Sequence, residues 1–464
     1  MKTEDRTEHT TEPMPAQRSG HRRDLAAAGA GVVLVTAAVL VGHAIENADH
    51  TLYVRWAPLL ATWYPHIGPG TVAAPAVAVA VVVYGPALAD RLRRRALLLT
   101  CYAASLAWIF SLALIDGWER GIAARLTTKH EYLRVIGRFD DIGAALQSFN
   151  DHILIGPPGN WPAHVAGHPP GATLTFVLLD RIGLGGGAWA GVWCILTGAS
   201  AAVAALIAVR ALADEHTARR AAPFVVLAPV AVWAGTSADG YFTAVAAWSV
   251  ALLALAATRT VRSPAAAALG AGLLYGLVCY LSYGLTLIAV LLLAVLVLTR
   301  TARPLALFVL GALAVPAAFT LAGFNWWEAY HLLVDRYYQG AGGLRPYSYW
   351  VWANLACTAI AVGPATLAGL RRTAEGVPGA VRTLRTGTTA SPQRLVLFVS
   401  AALLALLAAD LSGMSKAETE RIWQPFILWL LPATALLPVP RRRGWLAAQA
   451  VVALTVNHVF WTGW

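Results

Sequence analysis

Long apolar runs, separated by short polar or basic turns, dominate the pattern of this chain. A hydrocarbon core of about 30 Å needs roughly 20 apolar residues in a helix. About 13 segments meet or approach that length, near 25–45, 71–89, 96–116, 187–209, 221–236, 240–257, 264–281, 283–300, 304–323, 350–370, 394–410, 422–439 and 443–462. Several are short or nearly fused. The pattern predicts an all-α polytopic transmembrane helical bundle whose external loops form juxtamembrane helices. The weakly apolar piece Gly171–Leu179, closed by Asp180 and Arg181, is too short to cross, because about 12 helical residues span only some 18 Å. It is expected to be a short helix dipping in from the outer face. Residues 1–24 are polar without an apolar period and read as a disordered cytoplasmic tail ahead of a membrane domain at 25–464. The run Leu25–Ile45 is longer than a signal-peptide core of roughly 7 to 15 residues, so it reads as an uncleaved first span.

Charge gives the bundle a direction. Arg22 and Arg23, the Arg91–Arg95 cluster, Arg219 and Arg220, Arg259 and Arg262, Arg300 and Arg303, the loop from Arg371 to Arg394, and Arg441–Arg443 all fall on one side. The positive-inside rule makes that side cytoplasmic. The composition agrees with a multi-pass membrane protein: 58% of the 464 residues are hydrophobic and 13% charged, against about a quarter charged in soluble domains. The net charge of +11 is scattered in short clusters between apolar runs, which argues against a nucleic-acid partner. Only Lys2, Lys129 and Lys416 are lysines, and with the heavy Ala, Leu, Val and Gly usage this suggests a high-GC bacterial genome. Cys101, Cys194, Cys279 and Cys357 all lie inside expected spans without metal-ligand spacing, so they read as buried, inert thiols.

The segments left on the outer face carry the candidate chemistry. They are the loop 117–170, the turn Thr236–Gly240, the segment 324–349 and the turn Ser412–Arg421. Loops of such length inside a tight bundle are usually functional or disordered, and their aromatic content argues against disorder. Asp116 ends the third span and Glu119 follows by one turn, placing two carboxylates at the membrane edge, where one could act as general base. The bland alternative is a solvated helix end. His168 precedes Pro169 and Pro170, which forbid helix just before them and hold the imidazole at a rigid corner. His164 lies four residues earlier, but Gly167 and the prolines break a His-x-x-x-His face and no HExxH pattern accompanies it, so no metal ligands are assigned. Asp239 sits in a very short turn, either lining a site or serving Asp-Gly turn chemistry. The run Phe324–Tyr338 mixes aromatics with charges, as an interfacial helix or a simple aromatic belt would. His331, Arg336, Arg345, Lys416 and Arg421 could bind substrate there, the arginines holding a lipid phosphate by their bidentate fork.

This arrangement resembles the GT-C superfamily of integral-membrane glycosyltransferases, which includes protein O-mannosyltransferases and the aminoarabinose transferase of lipid A. Asp116 and Glu119 match an acidic element at the start of a long external loop, His168-Pro169-Pro170 matches the motif closing that loop, and Asp239 resembles a later acidic residue. The match covers roughly residues 96–260. Two spans precede Asp116 where the family usually has one, so Glu46 and Asp49 compete for its role. The segment Ser415–Trp423 looks like an element recurring in actinobacterial membrane proteins. The resemblance implies an external active site formed by 117–170 and 324–349, a polyprenyl-phosphate-linked sugar as donor within a membrane lipid environment, and Asp116 as the base. No cofactor is called for, a divalent cation being left open. There is no Walker A pattern and no GxGxxG between a strand and a helix, consistent with a donor that is not a nucleotide sugar. Two other readings stand beside it: a lipid or small-molecule transporter or flippase, suggested by the number of spans, and a noncatalytic cell-envelope assembly protein.

Overall fold

The computed structural model describes the backbone of residues 15–463 and side chains from Gly20 onward. Among these residues, eight helices are long and apolar enough to cross a membrane: Gly20–Asp49, Gly70–Arg91, Arg94–Ala113, Gly187–Leu212, Ala238–Thr258, Pro264–Leu281, Tyr347–Thr386 and Ser391–Leu411. Leu305–Leu321 joins them if it is counted with Trp326–Gln339, from which it is bent by 80°. The chain is an all-α, multi-pass membrane protein. The other four expected spans are shorter or less apolar, for identifiable reasons. Segment 221–236 breaks after Val226 and resumes as Ala231–Ala234, beside Pro223 and Pro229. Segment 283–300 opens as a 3-10 turn before Ala289–Thr299. Pro425, Pro432 and Pro438 divide 422–439 into short helical pieces, since proline lacks the amide that a continuous helix needs. Arg442–Val459 carries Arg442, Arg443, Gln449, Asn457 and His458.

Two boundaries differ from expectation. The first helix runs Pro15–Asp49, so residues 15–24 of the expected disordered tail are helical, while residues 1–14 lie outside the described residues. Asp24 explains the gain: its carboxylate is fully buried between Arg371 at 3.0 Å and Arg372 at 2.7 Å, and a buried charge held this way fixes the helix around it. The second difference is the expected loop 371–394. The helix Tyr347–Thr386 continues to a left-handed Gly387, with a break in its dihedrals at Gly363, and therefore projects beyond the apolar layer.

Contacts sort the connections onto two opposite ends of the bundle. At one end Arg441 donates to His21, Arg442 approaches Asp90 at 3.5 Å, Arg219 donates to the carbonyls of Ala89 and Leu92, and Arg300 donates to that of Leu384. At the other end Arg345 donates to the carbonyls of Leu52 and Lys416, Asn150 donates to Glu328, Ile155 donates its amide to Gln339, and His168 contacts the Leu281 carbonyl. The four polar segments selected from the sequence thus share one end. The helix Pro170–Arg181 stays there as expected, because Arg181 at its far terminus donates to the carbonyls of Phe139 and Asp140 in the long loop. A short antiparallel pairing of Ala61–Trp63 with Phe460–Thr462 closes the same end.

Cysteines introduced at exposed Arg93 and exposed Asp151 are expected to label from opposite sides of sealed vesicles with a membrane-impermeant maleimide, Asp151→Cys from outside. Labelling of both from one side would contradict this arrangement. Three of the four native cysteines are buried, which keeps the background low.

Candidate functional site

The corner at His168 forms as its prolines dictate. His168 is extended (φ −129°, ψ 150°), Pro169 is the N-cap residue and Pro170 opens the next helix. Gly171 lets that helix lie against the backbone of Tyr280, since a Cβ there would stand 2.6 Å from the Tyr280 carbonyl oxygen. The close approach lets His168 Nδ1 reach the neighbouring Leu281 carbonyl at 2.8 Å. A carbonyl only accepts, so Nδ1 carries the hydrogen. Tyr132 and Phe242 pack on the ring, with centroids 5.9 and 5.5 Å away. This desolvation pushes the imidazole pKa down to about 4 and keeps His168 neutral at pH 7.

Asp239 lies in the first turn of Ala238–Thr258 and forms a buried ion pair with Arg421, 182 positions away in sequence. Arg421 also donates to Glu418 at 3.1 Å, and Glu418 approaches Arg345 at 3.9 Å. The chain Asp239–Arg421–Glu418–Arg345 therefore alternates in sign. Burial alone would raise the Glu418 pKa, but Arg421, Arg345 and His164 hold it below its usual value. Burial likewise opposes the charge on Arg421, and Asp239, Glu418 and Glu131 more than offset it. Ala417 and Glu418 both have positive φ, 77° and 63°, a conformation costly for residues with a Cβ. Such backbone turns the chain sharply between Lys416 and Arg421 and is found preferentially at functional sites. Lys416 is buried too, its Nζ donating to the Gly342 carbonyl at 2.8 Å and its amide to the Tyr337 hydroxyl at 3.1 Å.

A second acidic group enters from the long loop. Glu131, 2% exposed, contacts His164 Nδ1 at 2.8 Å, and His164 carries its own amide to the His130 carbonyl. Tyr132 sits between these groups: burial, then Glu131 and Asp239, raise its hydroxyl pKa well above the usual value. The structure thus gathers His168, Pro169, Asp239, Arg345, Lys416 and Arg421 at one place and adds Glu131, His164 and Glu418. Glu131 was missed because a lone Glu in a long loop has no spacing signal. Glu418 stood inside the segment Ser415–Trp423 without a role.

The remaining candidates stand apart. Asp116 belongs to a separate buried group, with Oδ1 2.9 Å from His66 Nε2 and Oδ2 2.9 Å from Arg125. Arg125 also donates to the Thr462 carbonyl at 2.8 Å, tying the loop start to the C-terminal strand. Asp116 is therefore not a solvated helix end. His66 and Arg125 carry no motif in the sequence, and nothing there foretold the contact. Glu119, by contrast, is exposed. The helix Trp326–Gln339 forms where an interfacial helix was expected, capped by Asn325, and exposes Trp327 and Tyr338. It reaches the charged group through Tyr337 instead of Arg336, because neighbouring helix positions point about 100° apart. His331 is exposed and contacts its own helix at the Trp327 carbonyl.

Among the described residues, no group of three or more His, Cys, Asp or Glu could hold a metal ion. In this arrangement Asp239 and Glu418 face Arg421, and Glu131 faces His164.

The fold and site define a class: a multi-pass, all-helical membrane protein with a buried charged centre at one end of the bundle. No family model and no curated protein matches the chain. Among solved structures, it is similar to the apo oligosaccharyltransferase of Archaeoglobus fulgidus, with 14% identity, a TM-score of 0.49, and coverage of 78% of this chain and 56% of that one. The same enzyme in complex with Zn and sulfate gives 15% identity and a TM-score of 0.44 over 78% and 53% of the two chains. The archaeal enzyme AglB with an inhibitory peptide and a dolichol-phosphate gives 14% and 0.43 over 73% and 50%. The chain spans about half the length of these proteins, and a likeness at this level assigns no residue a role.

Arg421→Met leaves Asp239 buried without its cation and is expected to destabilise the protein by about 3 to 5 kcal/mol, measured as thermal unfolding in detergent; the double variant Asp239→Asn, Arg421→Met should recover much of that loss. Glu420 gives a pH test. It accepts from the Leu60 amide at 3.1 Å, and burial pushes its pKa up from 4.5 to about 7. Folding therefore favours the protonated acid: no penalty exists below the ordinary value, and it grows to about 3 kcal/mol as pH rises to about 7. Glu420→Gln should melt higher than wild type at pH 8 and equally at pH 4.5; equal melting at pH 8 would refute the assignment.

Proposed function

We propose that this chain is a membrane glycosyltransferase that moves a sugar from a polyprenyl-phosphate donor to an acceptor hydroxyl at the outer face of the membrane. The observation that carries the reading is the gathering of Arg345, Lys416 and Arg421 with Asp239, Glu418 and Glu131 at one end of an apolar bundle. A lipid-linked donor has a phosphate at the membrane edge and a chain in the hydrocarbon, and arginines at a bundle end that already hold carboxylates could hold that phosphate in their place. In the reaction the acceptor oxygen bonds to the anomeric carbon, the bond from that carbon to the phosphate oxygen breaks, and polyprenyl phosphate departs with the electron pair. Arg345 and Arg421 would stabilise the charge growing on the phosphate, a role in which one lost donor costs about 100- to 1000-fold in rate. Neutral His168, locked by the Leu281 carbonyl, would orient a sugar or acceptor hydroxyl.

The acceptor proton goes to a carboxylate, and two positions compete for it. Asp116 matches the resemblance, but its two oxygens face His66 and Arg125, so an acceptor must displace His66 to reach it. Asp239 pairs directly with Arg421, one of the two arginines assigned to the phosphate, which places it nearer the reacting bond. Exposed Glu119 is better placed to guide the acceptor toward the site than to take its proton.

Purified protein should transfer sugar from at least one member of a panel of polyprenyl-phosphate hexoses and pentoses. Arg421→Lys, which retains the charge and loses the fork, and Asp239→Asn are each expected to cut the rate by about 100-fold while still eluting as folded protein. Full activity in Asp116→Asn would remove Asp116 from the chemistry. Solute uptake into proteoliposomes, with no transfer from any donor, would replace this reading by that of a transporter.

A further inference from the structure

An apolar hollow lies away from the charged site, toward the arginine-rich end. A groove of about 380 Å³ runs between Gly70–Arg91, Arg94–Ala113 and Glu215–Val226, lined by Val77, Val81, Gly85, Leu97, Ala104 and Pro223 among others. That volume is within the range of about 300 to 1,000 Å³ typical of small-molecule sites. Gly85 lies on its wall, where a Cβ would stand 3.3 Å from Val81 Cγ1 and 3.4 Å from Pro223 Cβ, so any longer side chain there must enter the groove. The groove opens on hydrocarbon: the helix Gly70–Arg91 is apolar, only 17% of its core window is buried, and Tyr84 on the groove wall is largely exposed. Its occupant must therefore arrive through the membrane.

Charge selects which lipid. The lining reaches Ala89 and Leu97, and the turn between those helices carries Arg91, Arg93 and Arg95, all exposed, with Arg94 beside them. Arg219 donates to the Ala89 and Leu92 carbonyls, Arg443 to the Val83 carbonyl, and Arg442 faces Asp90. The nearby acids are already engaged, Asp90 by Arg442 and Glu215 by Arg210 and Arg219. An apolar slot ending at uncompensated arginines matches an anionic head on an apolar chain. We propose that the groove binds one acyl chain of an anionic phospholipid, whose phosphate rests on Arg91, Arg93 and Arg95. The site is separate from the proposed transfer chemistry and stands whether or not that chemistry is correct.

The test is native mass spectrometry of the detergent-purified protein with phosphatidylglycerol or phosphatidylcholine of equal chain length. Wild type is expected to retain phosphatidylglycerol at least about tenfold better. Gly85→Leu and, from the opposite wall, Ala104→Leu should abolish retention of that one lipid; a melting curve verifies that each is folded. Replacing Arg91, Arg93 and Arg95 together by Ser should erase the preference while leaving chain binding. Equal retention of the two lipids by wild type, or unchanged retention in both groove-filling variants, would overturn the proposal. Displacement of phosphatidylglycerol by equimolar undecaprenyl phosphate would overturn it too, in favour of a polyprenyl occupant.

Discussion

The ion chain from Asp239 through Arg421 and Glu418 to Arg345 is the interaction around which the rest of this protein is organised. Each group taken alone would be expensive to bury, and the alternation of sign makes burial tolerable. The chain ties together the start of Ala238–Thr258, the turn after Ser391–Leu411 and the segment leading into Tyr347–Thr386. Those elements are far apart in sequence, and no apolar contact would specify their meeting so narrowly, because apolar surfaces slide past one another at little cost. The left-handed conformations of Ala417 and Glu418 are sustained by the same contacts.

The two ends of the bundle use charge differently. At the arginine-rich end, cations bind backbone carbonyls at helix termini, completing hydrogen bonds that the last turn of a helix leaves unmade, and also pair with Asp24, Asp90 and Glu215. Arg91, Arg93 and Arg95 remain exposed there, open to lipid headgroups. At the opposite end, cations meet carboxylates in buried pairs, and there the desolvated imidazole of His168 is neutral.

Much of this was legible from the chain alone. Alternating apolar runs and arginine-rich turns give an all-helical membrane bundle, because hydrocarbon admits only segments that satisfy their own backbone hydrogen bonds. The prolines after His168 fix its extended conformation through steric exclusion. That Gly171–Leu179 is too short to cross follows from helical rise, and a separate amphipathic helix at Trp326–Gln339 from its mixture of aromatic and charged residues. These are local properties, set by a few neighbouring residues and the solvent they meet.

Partnership was decided only by the tertiary structure. No spacing rule joins Asp239 to Arg421, Glu131 to His164, or Asp116 to His66 and Arg125, since each pair meets only after helices have packed. Asp24 shows the same principle in reverse: its sequence neighbours read as a solvated tail, and two arginines nearly 350 positions later bury its carboxylate within a helix. The sequence by itself determined most of the long apolar helices, because transfer free energy sums over adjacent residues, while prolines and packing broke up 221–236, 283–300 and 422–439. Which charges neutralise one another was settled by packing, because Coulomb attraction depends on distance in space and is indifferent to distance along the chain.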